Sequence, residues 1–161
     1  MKSSLTLQTK PSMATQLEKL GAVTKLVTRT REYRSFIVSA LHVWIEPAID
    51  FDQIRVFYNT SGEPVGYVTW AWLDPRARER FIHDPRFLFH PSDWTEGPEL
   101  WILDFVAPFG HASDMWKQLR TEPRFTETEA FSYLRRRADG SIRRVTTRKN
   151  RRFRVDDGES S

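Results

Sequence analysis

One apolar segment, ELWILDFVAPFG at residues 99–110, does most to limit what this chain can fold into. It follows Pro98 and is interrupted by Pro108, so the run from Leu100 to Val106 has the length of a strand and not of a helix. A run that is apolar on both faces is typical of a strand in the middle of a sheet. The segment therefore predicts a buried central strand over this run.

Asp104 is the one charged residue inside that run. A buried carboxylate is costly unless it is paired with a cation or hydrogen-bonded. Asp104 is therefore either a structural group that binds backbone amides or an arginine, or an acid, a base or an orienting group at a functional site. Periodicity alone leaves both interpretations open.

Apolar spacing and capping residues predict four helices, at residues 13–27, about 32–45, 75–82 and 113–119. Pro47 is expected to end the second helix. Asp74 is the predicted N-cap of the third, with Pro75 at its first position, and Ser113 or Asp114 is the predicted cap of the fourth.

Two hairpins are predicted beside the central strand. Alternating residues 54–58 are followed by the turn TSGEP and the apolar strand VGYVTWAWL, and Asp139-Gly140 joins residues 131–137 to residues 141–147. This order of elements predicts an α/β (α+β) domain over residues 13–155, with disordered tails at residues 1–12 and 156–161.

The composition excludes several chemistries. The 161 residues include no cysteine, which removes disulfides, thiolate metal sites and cysteine nucleophiles. The four histidines lack a recognisable metal spacing, and nucleotide-binding glycine motifs are absent. No segment has the length of a signal peptide core or a membrane span, so we expect a cytoplasmic protein without integral membrane association.

Charge is concentrated near the end of the chain. Ten of the 25 Lys and Arg residues lie between Arg135 and Arg154, and the net charge is +4. This stripe is either a solvated strand face or a surface for an acidic protein, a polyanion or an anionic membrane. Neither a recognition helix nor an RNA-binding aromatic motif accompanies it, so no nucleic-acid partner is predicted.

Several strings together resemble the RTX toxin-activating (hemolysin-activating) lysine acyltransferases. They are VGYVTWAWL, then PSDWTEGPELWILDFVAPFG, then a helix with Met115-Trp116 and Leu119-Arg120, and upstream YRSFIVSALHVWIEPAI. The resemblance covers about residues 17–145. It implies a fold similar to the GNAT acyltransferases, with a central mixed sheet flanked by helices.

The resemblance also implies an activity. Members of the family move a fatty acyl group from acyl carrier protein to lysine side chains of a protoxin, using no metal and no other cofactor. The expected partners are therefore an acyl carrier protein and a protein with an acceptor lysine, and the prediction admits a homodimer. The alternative is a catalytically weakened homologue that binds an acyl carrier or another partner.

The resemblance places the family's functional aspartate at Asp104 and a supporting hydroxyl at Thr30, but Tyr33 stands where the family has a histidine. A lysine amine, with a pKa near 10.4, must lose a proton before it attacks a thioester, and histidine is a suitable base. Tyrosine, with a pKa near 10, is a poor base at neutral pH but can hydrogen-bond a developing oxyanion. His42 is too far along the second helix to replace the missing base, and His111 is a better candidate because it follows the strand of Asp104.

Three residues are predicted to contact the substrate. Trp70 is either a core residue or part of an aromatic lining for the acyl chain. Arg143 and Arg144, together with Arg148, are candidates for docking an acidic carrier protein.

Overall fold

The computed structural model describes residues 13–33, 37–84, 86–137 and 139–150. Its helices are α1 (Met13–Val27), α2 (Ser39–Trp44), α3 (Glu46–Asp50), α4 (Pro75–His83), α5 (Ala112–Leu119) and α6 (Pro123–Thr126). Its strands are β1 (Ile54–Tyr58), β2 (Pro64–Leu73), β3 (Glu99–Val106), β4 (Ala130–Arg136) and β5 (Ile142–Lys149). Two 3₁₀ turns lie at Arg31–Tyr33 and Pro91–Trp94.

The five strands form one mixed sheet in the order β1-β2-β3-β4-β5, which confirms the predicted mixed sheet with helices on it and is consistent with a GNAT-like fold. Only β3 and β4 are parallel, because α5 and α6 lie between them in the chain. Their pairing runs from Leu100 with Phe131 to Ile102 with Tyr133 and then stops, although both strands continue. The two strands therefore separate beyond this point.

A bulge in β3 decides which face of the sheet receives Asp104. Thr69 pairs with Asp104 and Trp70 pairs with Ile102, so Leu103 is an extra residue on β3. Strict alternation would put Asp104 on the same face as Leu100 and Ile102. Because Leu103 is extra, the Asp104 side chain instead lies on the other face of the sheet. There it is hydrogen-bonded to Thr69 and to residues of the α1 and α2 region.

The two faces of the sheet carry separate apolar cores. One core packs α1, α3, α4 and the loop before β3 against the sheet; its largest fully buried members are Trp94, Tyr67, Leu26, Ile45 and Leu73. The other packs α5 and α6 against the opposite face, around Trp70, Leu100, Met115, Leu119 and Phe125. Gly66 permits the close approach of α5, since a Cβ there would lie 2.6 Å from the Val106 carbonyl oxygen and would also contact Met115 Sδ.

Most predicted elements are confirmed. The first helix, both hairpins and the central strand form where expected. The Asp74 side chain caps α4 by accepting a hydrogen bond from the Ala77 N–H at 2.6 Å, as predicted. The tails predicted at residues 1–12 and 156–161 lie outside the described residues.

The second predicted helix is wrong in its extent. The chain forms a 3₁₀ turn at Arg31–Tyr33, and α2 begins only at Ser39. Pro47 does not end a helix; it lies in the first turn of α3, where a proline needs no N–H partner. The predicted N-cap of α5 is also wrong, because His111 is the N-cap residue and its side chain makes no capping hydrogen bond. The short helix α6 was not predicted.

Candidate functional site

The carboxylate of Asp104 accepts hydrogen bonds from three neutral side chains. Tyr33 Oη donates to Oδ1 at 2.6 Å, while Trp44 Nε1 and Thr69 Oγ1, the latter at 3.3 Å, donate to Oδ2. Asp104 is only 8% exposed. The carboxylate is therefore held by dipoles and hydrogen bonds inside the domain.

No cation pairs with Asp104 among the residues that the structure describes, so the predicted possibility of a structural arginine partner is not what is found. Burial raises the pKa of Asp104, and the hydrogen bonds from Tyr33, Trp44 and Thr69 oppose that rise without cancelling it. A carboxylate with a raised pKa is a stronger base than an exposed one. This environment suits a group that takes up and returns a proton.

Three separate parts of the chain deliver the donors. Tyr33 ends the 3₁₀ turn after α1, where its N–H donates to the Thr30 carbonyl at 3.1 Å. Trp44 is the last residue of α2, and its ring packs against Phe89 with centroids 5.3 Å apart. Thr69 lies opposite Asp104 on β2 and also accepts the Asp104 N–H at 3.2 Å, which holds the bulge in place.

A second tyrosine extends this polar cluster. Tyr67 is fully buried on β2 and lies near both Tyr33 and Asp104. Burial raises the pKa of Tyr67, and the charge of Asp104 raises it further, which outweighs the opposing effect of Tyr33. Tyr67 therefore stays protonated and adds a neutral hydroxyl beside the carboxylate.

A cavity of about 500 Å³ opens where β3 and β4 separate. Side chains of both strands, of α5 and of β5 line it: Ile102, Leu103, Phe105, Ala112, Ser113, Trp116, Tyr133, Leu134, Arg135 and Arg148. Leu103 and Phe105, the chain neighbours of Asp104, line the cavity, whereas Asp104 is not among the lining residues. The size of the cavity is in the range of small-molecule sites, and most of the lining is apolar or aromatic.

The structure brings together two of the residues that were predicted from the sequence, Tyr33 and Asp104. The Thr30 hydroxyl does not join them, because it donates to the Leu26 carbonyl at 2.9 Å, and Thr30 contacts the site only through its backbone. Trp70 is 3% exposed on the opposite face of the sheet, where it packs edge-on against Phe125.

The predicted basic residues Arg143 and Arg144 are exposed on β5, and Arg144 pairs with Arg135 across the hairpin. Both histidine candidates are also exposed: His42 contacts Glu46 at 2.7 Å, and His111 begins α5.

Sequence reasoning missed Trp44 and Thr69 as partners of the carboxylate. Thr69 could have been found, because it is the only hydroxyl amino acid besides Tyr67 in the strand VGYVTWAWL that precedes β3. Trp44 gives no such signal, since it belongs to an apolar helical stripe and reaches Asp104 only through tertiary packing.

Two further observations bear on the site. No group of three or more His, Asp or Glu side chains that could hold a metal occurs within the described ranges. Among the described helices, none has the length and apolar character needed to cross a bilayer.

Comparisons with known proteins agree with these features. A family model described as the RTX toxin acyltransferase family matches residues 12–149. The RTX-II toxin-activating lysine-acyltransferase of Actinobacillus pleuropneumoniae is 34% identical over 101 residues, which are 63% of this chain and 62% of that protein. The protein-lysine myristoyltransferase HlyC of Escherichia coli is 33% identical over 104 residues, 65% of this chain and 60% of that protein.

A third relative, the lysine-acyltransferase RtxC of Vibrio cholerae, is 27% identical over 103 residues, 64% of this chain and 67% of that protein. The chain thus matches between 60% and 67% of the length of these three relatives.

Proposed function

Because the chain belongs to the RTX toxin acyltransferase family, we propose that it transfers a fatty acyl group to lysine side chains of a protein. The observation that carries this proposal is the buried, hydrogen-bonded pair of Tyr33 and Asp104, together with a cavity between β3 and β4 that is lined by Leu103 and Phe105, the chain neighbours of Asp104. The pair supplies a proton acceptor, and the cavity supplies room for an acyl thioester.

The proposed donor is an acyl carrier protein with the acyl group on its thiol. A thioester at the end of a flexible arm can enter a cavity of about 500 Å³ whose wall includes Ile102, Leu103 and Phe105. Apolar walls exclude water from the reacting carbonyl, which protects the thioester from hydrolysis. This donor places the proposed reaction in the cytoplasm.

Tyr33 can act as the first proton acceptor because Asp104 supports it. The Tyr33 hydroxyl donates a hydrogen bond to Asp104 Oδ1 at 2.6 Å, and the lone pairs of the hydroxyl oxygen can accept another proton. As a lysine ammonium gives a proton to the Tyr33 oxygen, the original Tyr33 proton moves to Asp104. The base strength of the relay is then that of Asp104, whose pKa burial raises, and not that of an isolated phenol.

The neutral amine then attacks the thioester carbonyl. The C–N bond forms, the attacking nitrogen releases its second proton to solvent, the tetrahedral intermediate collapses with loss of the C–S bond, and the carrier thiolate leaves. The proton on Asp104 returns through Tyr33 to the thiolate, which restores the pair. No external oxidant, metal or hydrolysis step is needed for this balance of atoms and protons.

The proposed acceptor is an RTX protoxin or a similar protein. Relatives of this chain are named as activators of RTX toxins, and one is named a protein-lysine myristoyltransferase. No ion pair holds Asp104 within the described part of the chain, so an incoming ammonium does not have to displace a cation from that carboxylate.

The proposal is tested by incubating the protein with myristoyl-loaded acyl carrier protein and a recombinant RTX protoxin. Mass spectrometry should then find lysines that carry the acyl group. Asp104→Asn should slow this transfer by about 10²–10⁴-fold, the usual contribution of a positioned acid or base. The control is Asp84→Asn, which changes an exposed carboxylate outside the site. A lack of acylated lysine with the unchanged protein would overturn the proposal.

A second candidate function is a carrier-binding or partner-binding module with little turnover. The observation in its favour is Tyr33 itself, since a phenol is a weak base without the relay. The variant Tyr33→His distinguishes the transferase from the binding module. If the relay operates, this change alters the transfer rate by less than about tenfold, because one competent acceptor replaces another. A gain of several hundredfold from a nearly inactive parent would favour the module.

A further inference from the structure

The wall of the cavity formed by β4 and β5 is cationic. Tyr133 and Arg135 lie on β4 and Arg148 on β5, and all three line the cavity. Arg148 Nε donates to Tyr133 Oη at 3.3 Å, and its guanidinium lies 5.5 Å from the centre of the Trp116 ring. The aromatic contact and the hydrogen bond fix the position of an arginine that is otherwise exposed.

Among the described residues, no carboxylate neutralises these charges. The lining of the cavity contains neither Asp nor Glu. Arg135 and Arg148 take part in no ion pair among the described residues, although other arginines such as Arg55, Arg78 and Arg124 do. Two guanidinium groups therefore face one cavity without a counter-charge from the part of the chain that the structure describes.

The effect of the two arginines is seen at the Tyr133 hydroxyl. Burial by itself would raise the pKa of Tyr133, but the hydrogen bond and charge of Arg148, with a smaller contribution from Arg135, lower it below its ordinary value. A position that favours a phenolate is a position that favours other anions.

We propose that Arg135, Arg148 and Tyr133 form a subsite for a phosphate ester, with the uncharged arm of the same ligand lying along Leu103 and Leu134. The proposal rests on the proposed function, because the arm of an acyl carrier protein carries a phosphodiester at one end and the thioester at the other. A guanidinium presents paired N–H donors that match phosphate oxygens, and a tyrosine hydroxyl adds a third donor. The site therefore anchors the donor arm by its phosphate and leaves the thioester end to extend along Leu103, the chain neighbour of Asp104.

The subsite is tested with two probes that differ only in the phosphate, pantetheine and 4′-phosphopantetheine. Isothermal titration of the intact protein at low salt should show the phosphorylated probe binding about tenfold or more tightly, the scale of one to two charge-assisted hydrogen bonds. Equal affinity for the two probes would overturn the proposal.

Substitutions of the two arginines test which residues cause the preference for the phosphorylated probe. Arg148→Gln and Arg135→Gln should each remove most of the preference for the phosphorylated probe, while Arg148→Lys, which keeps the charge, should retain a part of it. The matched control is Arg76→Gln, an exposed arginine on α4 outside the cavity. All four changes are at exposed positions, and thermal melts check that each variant folds. A preference that survives both glutamine variants would mean that phosphate binds elsewhere and would overturn the subsite.

Two other outcomes separate this subsite from the proposed function. Acyl transfer without any preference for the phosphorylated probe would remove the subsite and leave the transferase. A preference that depends on Arg148, in a protein that transfers no acyl group, would support the subsite and remove the transferase. Binding of a single-stranded oligonucleotide that depends on Arg148, without binding of phosphopantetheine, would assign these cations to nucleic acid and overturn the proposal.

Discussion

At the scale of single residues, Asp104 carries a cost that its neighbours only partly offset. A buried ion without a cation loses its hydration, and hydrogen bonds from Tyr33, Trp44 and Thr69 return only a part of that free energy. If the residue at position 104 had only a structural role, a neutral side chain would make the folded protein more stable. The carboxylate is therefore best explained by the chemistry proposed for it, and its removal should help the fold while it harms activity.

Asp104→Asn is expected to stabilise the protein in a pH-dependent way. The amide oxygen can accept the Trp44 N–H, and the Tyr33 hydroxyl can reverse to accept from the new amide, so the variant keeps its partners. Below the ordinary carboxyl pKa, Asp104 is protonated in both the folded and the unfolded protein, so wild type and variant should then differ little. As the pH rises from the ordinary carboxyl pKa to the raised pKa of Asp104, the unfolded chain ionises this group while the folded wild type does not, so the wild type loses stability, and above the raised pKa the loss is complete.

Thermal or urea unfolding between about pH 4 and pH 8 measures this difference. The gap in stability between Asp104→Asn and wild type should widen with rising pH. A wild type that becomes more stable than the variant as pH rises would show that the carboxylate is stabilised by the fold, contrary to expectation.

At the scale of elements, the bulge in β3 and the short pairing of β3 with β4 create the site together. The bulge turns Asp104 towards Tyr33 and Trp44, and the separation of the strands beyond Ile102 opens the cavity that Leu103 and Phe105 line. The position of α5 completes the cavity through Trp116, and Gly66 sets how closely α5 approaches.

Gly66→Ala is therefore expected to destabilise the protein by about 1–3 kcal/mol, the usual cost of adding a methyl group to a filled site. Its Cβ would lie 2.6 Å from the Val106 carbonyl oxygen, which is backbone and cannot move aside by changing rotamer. Urea denaturation measures the loss. Gly62→Ala is a poor control because the positive φ of 78° at Gly62 is itself strained for alanine. Gly21→Ala, where no atom lies within 4 Å of a new Cβ, is the proper comparison.

The sequence predicts helices and strands better than it predicts the breaks between them and the bulges within them. Hydrophobic alternation and turn residues locate β1, β2, β4 and β5, because these signals are local. The break between the 3₁₀ turn at Arg31–Tyr33 and α2 is invisible in the apolar stripe, since the stripe has the same period on both sides. The bulge at Leu103 is also invisible, because it depends on the pairing with β2. The site residues that were missed, Trp44 and Thr69, reach Asp104 only because of this break and this bulge.

At the scale of the whole molecule, the basic hairpin contributes to the cavity that the proposed reaction would use. Arg135, Arg144 and Arg148 occur on the last hairpin, whose strands form one edge of the sheet. The sequence predicted this basic stripe, and the structure adds that two of its members face the cavity. An acidic carrier protein could then be attracted by the same strands that receive its arm.

Reversing Arg143, Arg144 and Arg148 to glutamate is expected to weaken binding of acyl carrier protein at low salt, measured by surface plasmon resonance. The effect should fade towards about 0.5 M salt, because screening shortens the reach of exposed charges. Reversal of Arg76, Arg86 and Arg120, which are also exposed, makes the same change in net charge. Equal weakening by both sets would show that net charge alone matters and that β5 is not the docking surface.

The most direct measurement of the proposed chemistry is a double-mutant cycle on Tyr33 and Asp104. Single-turnover rates of acyl transfer are measured for wild type, Tyr33→Phe, Asp104→Asn and the double variant. If the two side chains act as one proton relay through their 2.6 Å hydrogen bond, the double variant will be no slower than the slower single variant. Losses that multiply in the double variant, or full activity in either single variant, would contradict the relay.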